Sequence, residues 1–193
     1  GANLGEMIRA GQNIPAGYAL SIDFFADFLE FNNLTALTKD PVMNDEALVK
    51  GIGSGAFSSR GEEVLEEIFR DLEAGGDGEL VVRSSSICED SSLSSMAGIF
   101  ESFISLQGVE ELKEGVKGCF ISLYSPKALS YRLSNNIPTD QFKMGVVIQP
   151  FKRGRPSGVL FTADPVKGNE EKLIISGVDS ICADFVEGRG ESF

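Results

Sequence analysis

The residues best suited to chemistry lie between Leu80 and Ile104, in the run L-V-V-R-S-S-S-I-C-E-D-S-S-L-S-S-M-A-G-I-F-E-S-F-I. A short apolar strand is predicted to end at Arg83, and a loop rich in serine hydroxyls leads from it to Gly98. Arginine offers a planar set of donors that fits phosphate, and serine and glycine let backbone N–H groups approach an anion closely. The run therefore has the composition of a polyphosphate-binding loop, which an ordinary polar surface loop shares.

The chain contains no histidine. A catalytic triad that uses histidine, a histidine–metal site and a phosphohistidine are therefore excluded within these residues. Any chemistry must rest on carboxylates, arginine and lysine, hydroxyls, backbone amides and a metal ion held by oxygen ligands.

Composition and charge narrow the class of protein further. With 193 residues, of which 42% are hydrophobic, the chain can form one globular unit with a substantial core or two small lobes. A net charge of −12 argues against nucleic-acid and anionic-membrane partners, yet a few convergent cations suffice for a phosphate ligand. No apolar run approaches the roughly 18 residues that span a bilayer, and we find no signal peptide.

The cysteines and the first residue bear on the cellular setting. Cys88, Cys119 and Cys182 are widely spaced and fit neither a zinc site nor a disulfide framework, so we expect reduced thiols and a cytoplasmic protein. Because the sequence starts without methionine, we expect it to be a piece of a longer protein.

Apolar periodicity, capping residues and turn signals predict a mixture of helices and strands. Helices are predicted at 4–10, from Ser21 to about residue 29, near 45–50, at 62–73, and as two helices within 109–133 that are broken at 125–126. Strands are predicted around 18–20 and at 79–83, 144–149, 159–162, 172–176 and 181–186, with those at 144–149 and 159–162 buried.

A second group of candidate residues lies in S-G-V-L-F-T-A-D-P-V-K-G, residues 157–168. Asp164 could ligate magnesium or orient a phosphate-binding loop, but an aspartate before proline also commonly starts a turn. The basic run at 152–155 suits an anionic ligand, a partner domain or a solvated hairpin tip. Near the end, Glu191 places a carboxylate beside glycines that allow a close approach to a ligand.

Five segments in this order resemble the nucleotide-binding domain of the pyruvate phosphate dikinase and phosphoenolpyruvate synthase family, which also occurs in rifampin phosphotransferases. They are spread over essentially the whole chain. They comprise G-A-N-L-G-E-M-I-R-A-G with I-P-A-G-Y-A-L (1–20), V-V-R-S-S-S-I-C-E-D (81–90), S-M-A-G-I-F-E-S-F (95–103), F-I-S-L-Y-S-P-K-A-L-S-Y-R (120–132), and V-V-I-Q-P-F with S-G-V-L-F-T-A-D-P-V-K-G (146–168).

The resemblance implies an α+β fold of the ATP-grasp type, in which two lobes with mixed or antiparallel sheets clamp a nucleotide. It implies one truncated domain over 1–193. Its expected parts are a sub-lobe of 1–103 with 140–151, a helical insert at 104–139, and an incomplete C-terminal sub-lobe at 152–193.

The resemblance also implies a function. In the family this domain transfers phosphate from Mg-ATP to a histidine on a separate swivelling domain, which carries it to pyruvate on a third domain to give phosphoenolpyruvate. The expected cofactors are ATP and Mg²⁺. The expected partners are the nucleotide and the phosphohistidine and pyruvate-binding domains of the same parent protein. Two alternatives stay open: the same domain of a rifampin-phosphotransferase-like enzyme, and a non-catalytic nucleotide-binding or regulatory module.

The resemblance assigns roles to individual residues. Arg83 matches the family's phosphate-binding arginine and is the candidate catalytic residue. The loop that closes over the triphosphate matches 94–102, including Ser95, Met96, Ala97, Gly98 and Glu101. The linker along which adenine lies matches Gln149, Pro150 and Phe151. Asp164 falls in the F-T-x-D-P element and Glu191 in the G-x-G-E element near the ribose and adenine.

The sequence departs from the family pattern at three places. The family usually has a lysine immediately before G-A-N-L-G-E, where this chain begins with Gly1. The metal-binding Glu and Gln and a second phosphate-binding Arg lie beyond the G-x-G-E element, so we expect no metal ligand before Phe193. S-I-C-E-D at 86–90 replaces the usual A-T-A-E-D. We therefore expect this chain alone to bind ATP weakly and not to catalyse transfer.

Overall fold

A computed structural model of the chain describes residues 1–74, 78–86, 90–91, 94–95, 99–138, 143–154, 156–163 and 172–179, with the backbone alone at 90–91 and 94–95. Two compact units are formed, residues 1–151 and residues 152–193. The described elements of the first unit are α1 (Ala2–Arg9), β1 (Tyr18–Leu20), α2 (Ile22–Phe31), a 3₁₀ turn (Leu37–Lys39), α3 (Asp45–Ser54), α4 (Ser59–Ala74), β2 (Leu80–Ser86), β3 (Asp90–Ser91), β4 (Ser94–Ser95), β5 (Ser102–Leu106), α5 (Val109–Ser122), α6 (Pro126–Ser134) and β6 (Met144–Pro150). Those of the second unit are β7 (Ser157–Phe161) and β8 (Ile174–Val178).

Four antiparallel strands form the main sheet of the first unit, in the order β1–β6–β2–β5. The central strands β2 and β6 pair along seven residues of each. Within this ladder Arg83 lies opposite Val147 of β6, and on its other side it lies opposite Ser102 of β5. The backbone of Arg83 is therefore fixed by a neighbouring strand on each side. A separate short hairpin pairs β3 with β4.

The hydrophobic core lies between one face of this sheet and the helices. Successive side chains of a strand point to opposite faces, and alternate residues of the central strands belong to the core cluster, for example Leu80, Val82, Val146 and Ile148. The other face carries the exposed residues Ala19 and Arg83 and is named the open face after them, although Val81, Val147 and Gln149 on it are buried. Its residues lie outside the core cluster and are Ala19 of β1, Val81, Arg83 and Ser85 of β2, and Val147 and Gln149 of β6.

Helix α5 packs closely against β5. A Cβ atom on Gly118 would lie 2.6 Å from Cε2 of Phe103, which is closer than side-chain atoms approach each other. Glycine at this position therefore allows α5 to contact the sheet. Leu112, Val116 and Phe120 of the same helix all belong to the core cluster.

Two buried lysines connect α5 to neighbouring helices. Lys113 Nζ lies 3.1 Å from a carboxylate oxygen of Glu62 in α4 and 3.0 Å from one of Glu110. Lys117 Nζ donates to the carbonyl oxygen of Gly53, in the last turn of α3, at 3.1 Å. A cation at this end of a helix satisfies a carbonyl that has no partner within the helix and interacts favourably with the helix dipole.

The second unit is described as an antiparallel pair of strands in which Leu160 lies opposite Ile175. Leu160 is 55% and Phe161 40% exposed, so the prediction of a buried strand at 159–162 is wrong. A short apolar run is compatible with a buried strand and also with a ribbon whose side chains lie at the surface. The buried strand predicted at 144–149 is confirmed as β6.

Most of the predicted elements are confirmed, with shifts at their ends. β2 continues to Ser86 instead of ending at Arg83, because its last three residues pair with the first three of β6. The strand predicted at 172–176 is found at Ile174–Val178. Strands β3, β4 and β5 were not predicted, and the strand predicted at 181–186 lies outside the described residues. The mixed α and β class with antiparallel sheets is confirmed.

Candidate functional site

Arg83 presents its side chain on the open face of the sheet. The preceding residue, Val82, is fully buried against the helices, so strand alternation directs Arg83 to the opposite side. The residue is exposed, and among the described residues its guanidinium forms no ion pair. A cation held on a strand that is paired on both sides, and that forms no ion pair within the described part of the chain, is well placed to bind an anion.

The start of α1 lies on the open face beside Arg83. A Cβ atom on Gly1 would lie 3.6 Å from Val147 Cγ2 and 3.7 Å from Ser85 Oγ. The Gly1 nitrogen donates to Ser85 Oγ at 2.7 Å. Since Val147 is the cross-strand partner of Arg83, the first turn of α1 and the guanidinium share one region of the sheet.

This arrangement has the chemistry of an anion site. The first N–H groups of a helix have no partner within it. The N-cap residue of α1 is Gly1, which has no side chain that could accept a hydrogen bond from them. Those N–H groups and the positive end of the helix dipole favour a phosphate. Arg83 adds a full positive charge from the adjacent strand. Gly1 and Arg83 are 82 positions apart in the sequence, and the two features converge only in the folded chain.

The residues assigned to the closing loop are described only in part. Glu101 is exposed and precedes Ser102, which lies opposite Arg83. The Glu101 carbonyl accepts a hydrogen bond from the Cys119 thiol at 3.7 Å, which connects this end of the loop to α5. The backbone of Ser95 pairs with Asp90 in the short hairpin. Met96, Ala97 and Gly98 lie outside the described residues.

The residues assigned to the adenine linker, 149–151, begin in the last two residues of the central strand β6. Gln149 is 6% exposed, lies opposite Val81, and donates from Nε2 to the carbonyl oxygen of Pro15 at 2.7 Å. Pro150 lies opposite Leu80. The backbone N–H of Phe151 donates to the carbonyl of Glu79 at 2.8 Å. The side chain of Gln149 is therefore engaged within the protein.

The structure brings several of the predicted residues onto one sheet. Gln149 is two residues along β6 from Val147, the partner of Arg83, and diagonal neighbours of this kind are about 7–8 Å apart. Glu101 adjoins the strand on the other side of Arg83. Asp164 and Glu191 lie outside the described residues, so their positions stay predictions.

Sequence reasoning missed the roles of Ser85, Pro15 and Gly17. A Cβ atom on Gly17 would lie 2.5 Å from Cγ of Gln149, so the chain before β1 passes directly against this side chain. The Pro-x-Gly pattern at 15–17 was visible in the sequence, but the residue that it contacts lies 134 positions from Pro15. Only the fold identifies that contact.

No group of three or more Cys, Asp or Glu side chains in the described part of the chain is placed to hold a metal ion. Within the same ranges, none of the helices has the length and apolar character needed to cross a bilayer.

Comparison with known proteins finds one matching family and relatives whose names agree with it. Residues 1–191 match the family described as "Pyruvate phosphate dikinase, AMP/ATP-binding domain". A probable phosphoenolpyruvate synthase of Staphylothermus marinus is 31% identical over 97% of this chain and 25% of its own length. A phosphoenolpyruvate synthase of Deinococcus radiodurans is 32% identical, with 97% and 26% covered.

A third relative carries a less specific name. An uncharacterised phosphotransferase of Bacillus subtilis is 31% identical over 98% of this chain and 22% of its own length. The chain thus spans about a quarter of the length of the curated relatives that it matches. By the extent of the family match and these identities, the chain belongs to the family of pyruvate phosphate dikinase AMP/ATP-binding domains.

Proposed function

We propose that this chain is the ATP-binding part of a multidomain phosphotransferase. The phosphate of ATP would pass to a histidine on another domain and then to pyruvate, giving phosphoenolpyruvate. Of the relatives named above, one is named a phosphoenolpyruvate synthase and another a probable phosphoenolpyruvate synthase, which favours pyruvate over a drug hydroxyl as the final acceptor. The absence of histidine from this chain is consistent with a donor module whose acceptor lies elsewhere.

The observation that carries the proposal is the convergence of Arg83 and the start of α1 on the open face. Phosphoryl transfer requires positioning of the phosphates and neutralisation of their charge more than covalent participation of the protein. Positioning and charge neutralisation are supplied by the helix N–H groups without a side-chain cap and by the exposed guanidinium, which forms no ion pair among the described residues.

The other assigned residues complete the proposed site. Adenine would lie along 149–151 and contact backbone groups, and the loop at 94–102 would close over the triphosphate and exclude water. Asp164 and Glu191 would contribute from the proposed third sub-lobe at 152–193. The proposed architecture is ATP-grasp-like, with a helical insert at 104–139.

Magnesium when bound bridges and neutralises phosphate oxygens. The described residues do not form a carboxylate cluster that fits the ion. We therefore assign no step to it and expect it to arrive with the nucleotide.

The proposal is tested by titrating Mg-ATP into the chain and into Arg83→Ala, with calorimetry or NMR as the readout. Loss of a charge-assisted contact to phosphate should weaken binding about tenfold or more. Arg70→Ala removes an exposed arginine from helix α4, which is not part of the open face, and should bind ATP like the unchanged chain.

The same samples separate binding from folding. Because Arg83 is exposed and lies outside the core cluster, its substitution should leave the thermal midpoint close to that of the Arg70→Ala variant. Equal ATP affinity of Arg83→Ala and the unchanged chain would remove Arg83 from the site. No saturable binding of ATP at any concentration would contradict the proposed function.

A further inference from the structure

Among the described residues, the segment between α1 and β1 is joined to the sheet by one long-range side-chain hydrogen bond. Its own backbone bonds are local, from Gln12 N to Met7 O at 3.0 Å and from Ile14 N to Gln12 O at 2.9 Å. Pro15 O accepts from the Gln149 carboxamide at 2.7 Å. Because Gln149 is 6% exposed, this hydrogen bond is largely shielded from water, which would otherwise compete with it.

Gly17 fixes the same segment from a second direction. A Cβ atom there would lie 2.5 Å from Gln149 Cγ and would also collide with the carbonyl oxygen of Ile148. The backbone therefore lies flat against the aliphatic part of the Gln149 side chain while its terminal amide holds Pro15. A carboxamide suits this position, since it provides a donor for a carbonyl and carries no charge into a buried place.

Helix α1 depends on such contacts because it contributes nothing to the core. None of its residues is buried, and Met7 and Ile8 are 46% and 47% exposed. Its start is held at Ser85, and the segment after it is held at Gln149. Both attachment points lie on the open face, with Arg83 on the same strand as Ser85.

We infer that Gln149 is a positioning residue whose side chain sets the distance between the phosphate-binding start of α1 and the adenine-binding linker. The inference rests on the proposed function for the identity of those two ends. It assigns the Gln149 carboxamide to Pro15 and leaves contacts with adenine to the backbone of 149–151. The linker is held on its other side by the bond from Phe151 N to Glu79 O.

A ligand that contacts both the start of α1 and the linker at 149–151 should respond to a change at Gln149 differently from a ligand that contacts one of them. Gln149→Met keeps the length of the side chain and removes the donor. ATP must contact both ends at once, so its affinity should fall about three- to tenfold, the equivalent of one lost hydrogen bond. Adenosine and inorganic tripolyphosphate each occupy one end, so their affinities should change less than twofold.

Two further variants complete the test. Gln149→Leu also lacks the donor and carries no charge, and it should reproduce the pattern if Gln149→Met folds poorly. Asn135→Leu removes a carboxamide that donates to Tyr131 O at 2.9 Å on α6, and it should leave all three affinities unchanged. Hydrogen exchange should show faster exchange of the Gln12 and Ile14 amides in both Gln149 variants only.

The other possible results distinguish a failure of the proposed function from a failure of the inference about Gln149. If the unchanged chain does not bind ATP, the proposed function fails and the inference fails with it. If the unchanged chain binds ATP, Arg83→Ala lowers the affinity for ATP and both Gln149 variants keep it, the inference alone is overturned. If the Gln149 variants lose affinity for adenosine and ATP equally, Gln149 contacts the nucleobase. If they lose affinity for all three ligands equally and the thermal midpoint falls, the role of Gln149 is purely structural. Either result would also overturn the inference.

Discussion

The rings of Phe25 and Phe120 lie with their centroids 4.7 Å apart and join α2 to α5 within the core. Phe28 extends the contact, at 5.5 Å from Phe120 and 4.9 Å from Phe57. The tilted geometry of these pairs is favourable for aromatic rings. This cluster attaches the helical layer that supports the sheet carrying the candidate site.

Replacing Phe120 should therefore destabilise the whole first unit. Phe120→Leu removes two ring contacts and part of a side chain that is 1% exposed. We expect the free energy of unfolding to fall by about 1–3 kcal/mol, measured by urea titration. Phe31→Leu makes the same change at a ring that is 54% exposed and should alter it by less than about 0.5 kcal/mol. If the free energy of unfolding falls by a similar amount in both variants, the aromatic cluster does not have this central role.

Gly17 should tolerate no side chain. In Gly17→Ala the new methyl group would meet Gln149 Cγ at 2.5 Å and the Ile148 carbonyl, so β1 must shift away from β6. We expect a loss of about 1–3 kcal/mol in the free energy of unfolding. Gly53→Ala is the matched control. Among the described residues, and apart from the backbone of α3 itself, a methyl group on Gly53 would meet Ile121 Cδ1 of α5 at 3.8 Å, an ordinary contact distance. Alanine at this position of α3 should therefore be neutral or stabilising. An unchanged unfolding midpoint for Gly17→Ala would show that β1 adapts freely.

Lys113 should stabilise the fold in a pH-dependent manner. The hydrogen bond to Glu110 raises the pKa of Lys113 above its ordinary value of 10.5, burial opposes the rise, and Glu62 adds to it. The charged lysine is therefore more favourable in the folded protein than in the unfolded chain. Its contribution is fully present below pH 10.5 and is lost as the pH rises through the folded pKa.

Lys113→Met keeps the apolar stem and removes the charge. At pH 7 we expect a loss of about 1 kcal/mol, because Glu62 and Glu110 are 42% and 80% exposed and remain hydrated. Above pH 11 the difference from the unchanged chain should shrink, as measured by denaturant titration at both pH values. Lys50→Met removes an exposed lysine from α3 and should show no such trend. A difference that stays constant with pH would assign the loss to packing.

The helices of the first unit could be predicted because their signals are local. Ser21 caps α2 by accepting from Asp23 N at 3.2 Å, and Ser125 caps α6 by accepting from Ala128 N at the same distance. Both start signals lie within a few residues of the apolar face that follows. Pro126 likewise separates α5 from α6 without help from distant residues.

Strand β5 could not be predicted because its alternation is interrupted. Ser105 has a φ of 59°, and the pairing with β2 shifts register between Leu80 and Val82. A bulge of this kind breaks the period of two by which a strand is recognised. The hairpin of β3 and β4 lies in a run of polar residues with no apolar alternation at all.

The candidate site was predictable to the extent that it lies within short motifs. Arg83 was assigned to a strand from its own neighbours, and its location in β2 is confirmed; its role in binding phosphate stays a prediction. The contact between Gln149 and Pro15 could not be read from the sequence, since it requires β1 and β6 to be neighbours. Lys113 was also missed, because a lysine is seldom expected on a buried helix face.

The strand order has a consequence for synthesis on the ribosome. The strand β1 leaves the ribosome early, but its partner in the described sheet is β6, the last strand of the first unit to be translated. Until β6 emerges, β1 and one edge of β2 expose unpaired backbone groups and apolar side chains. Translation arrested before residue 144 would leave nascent chains with open edges, which are targets for aggregation and for chaperones.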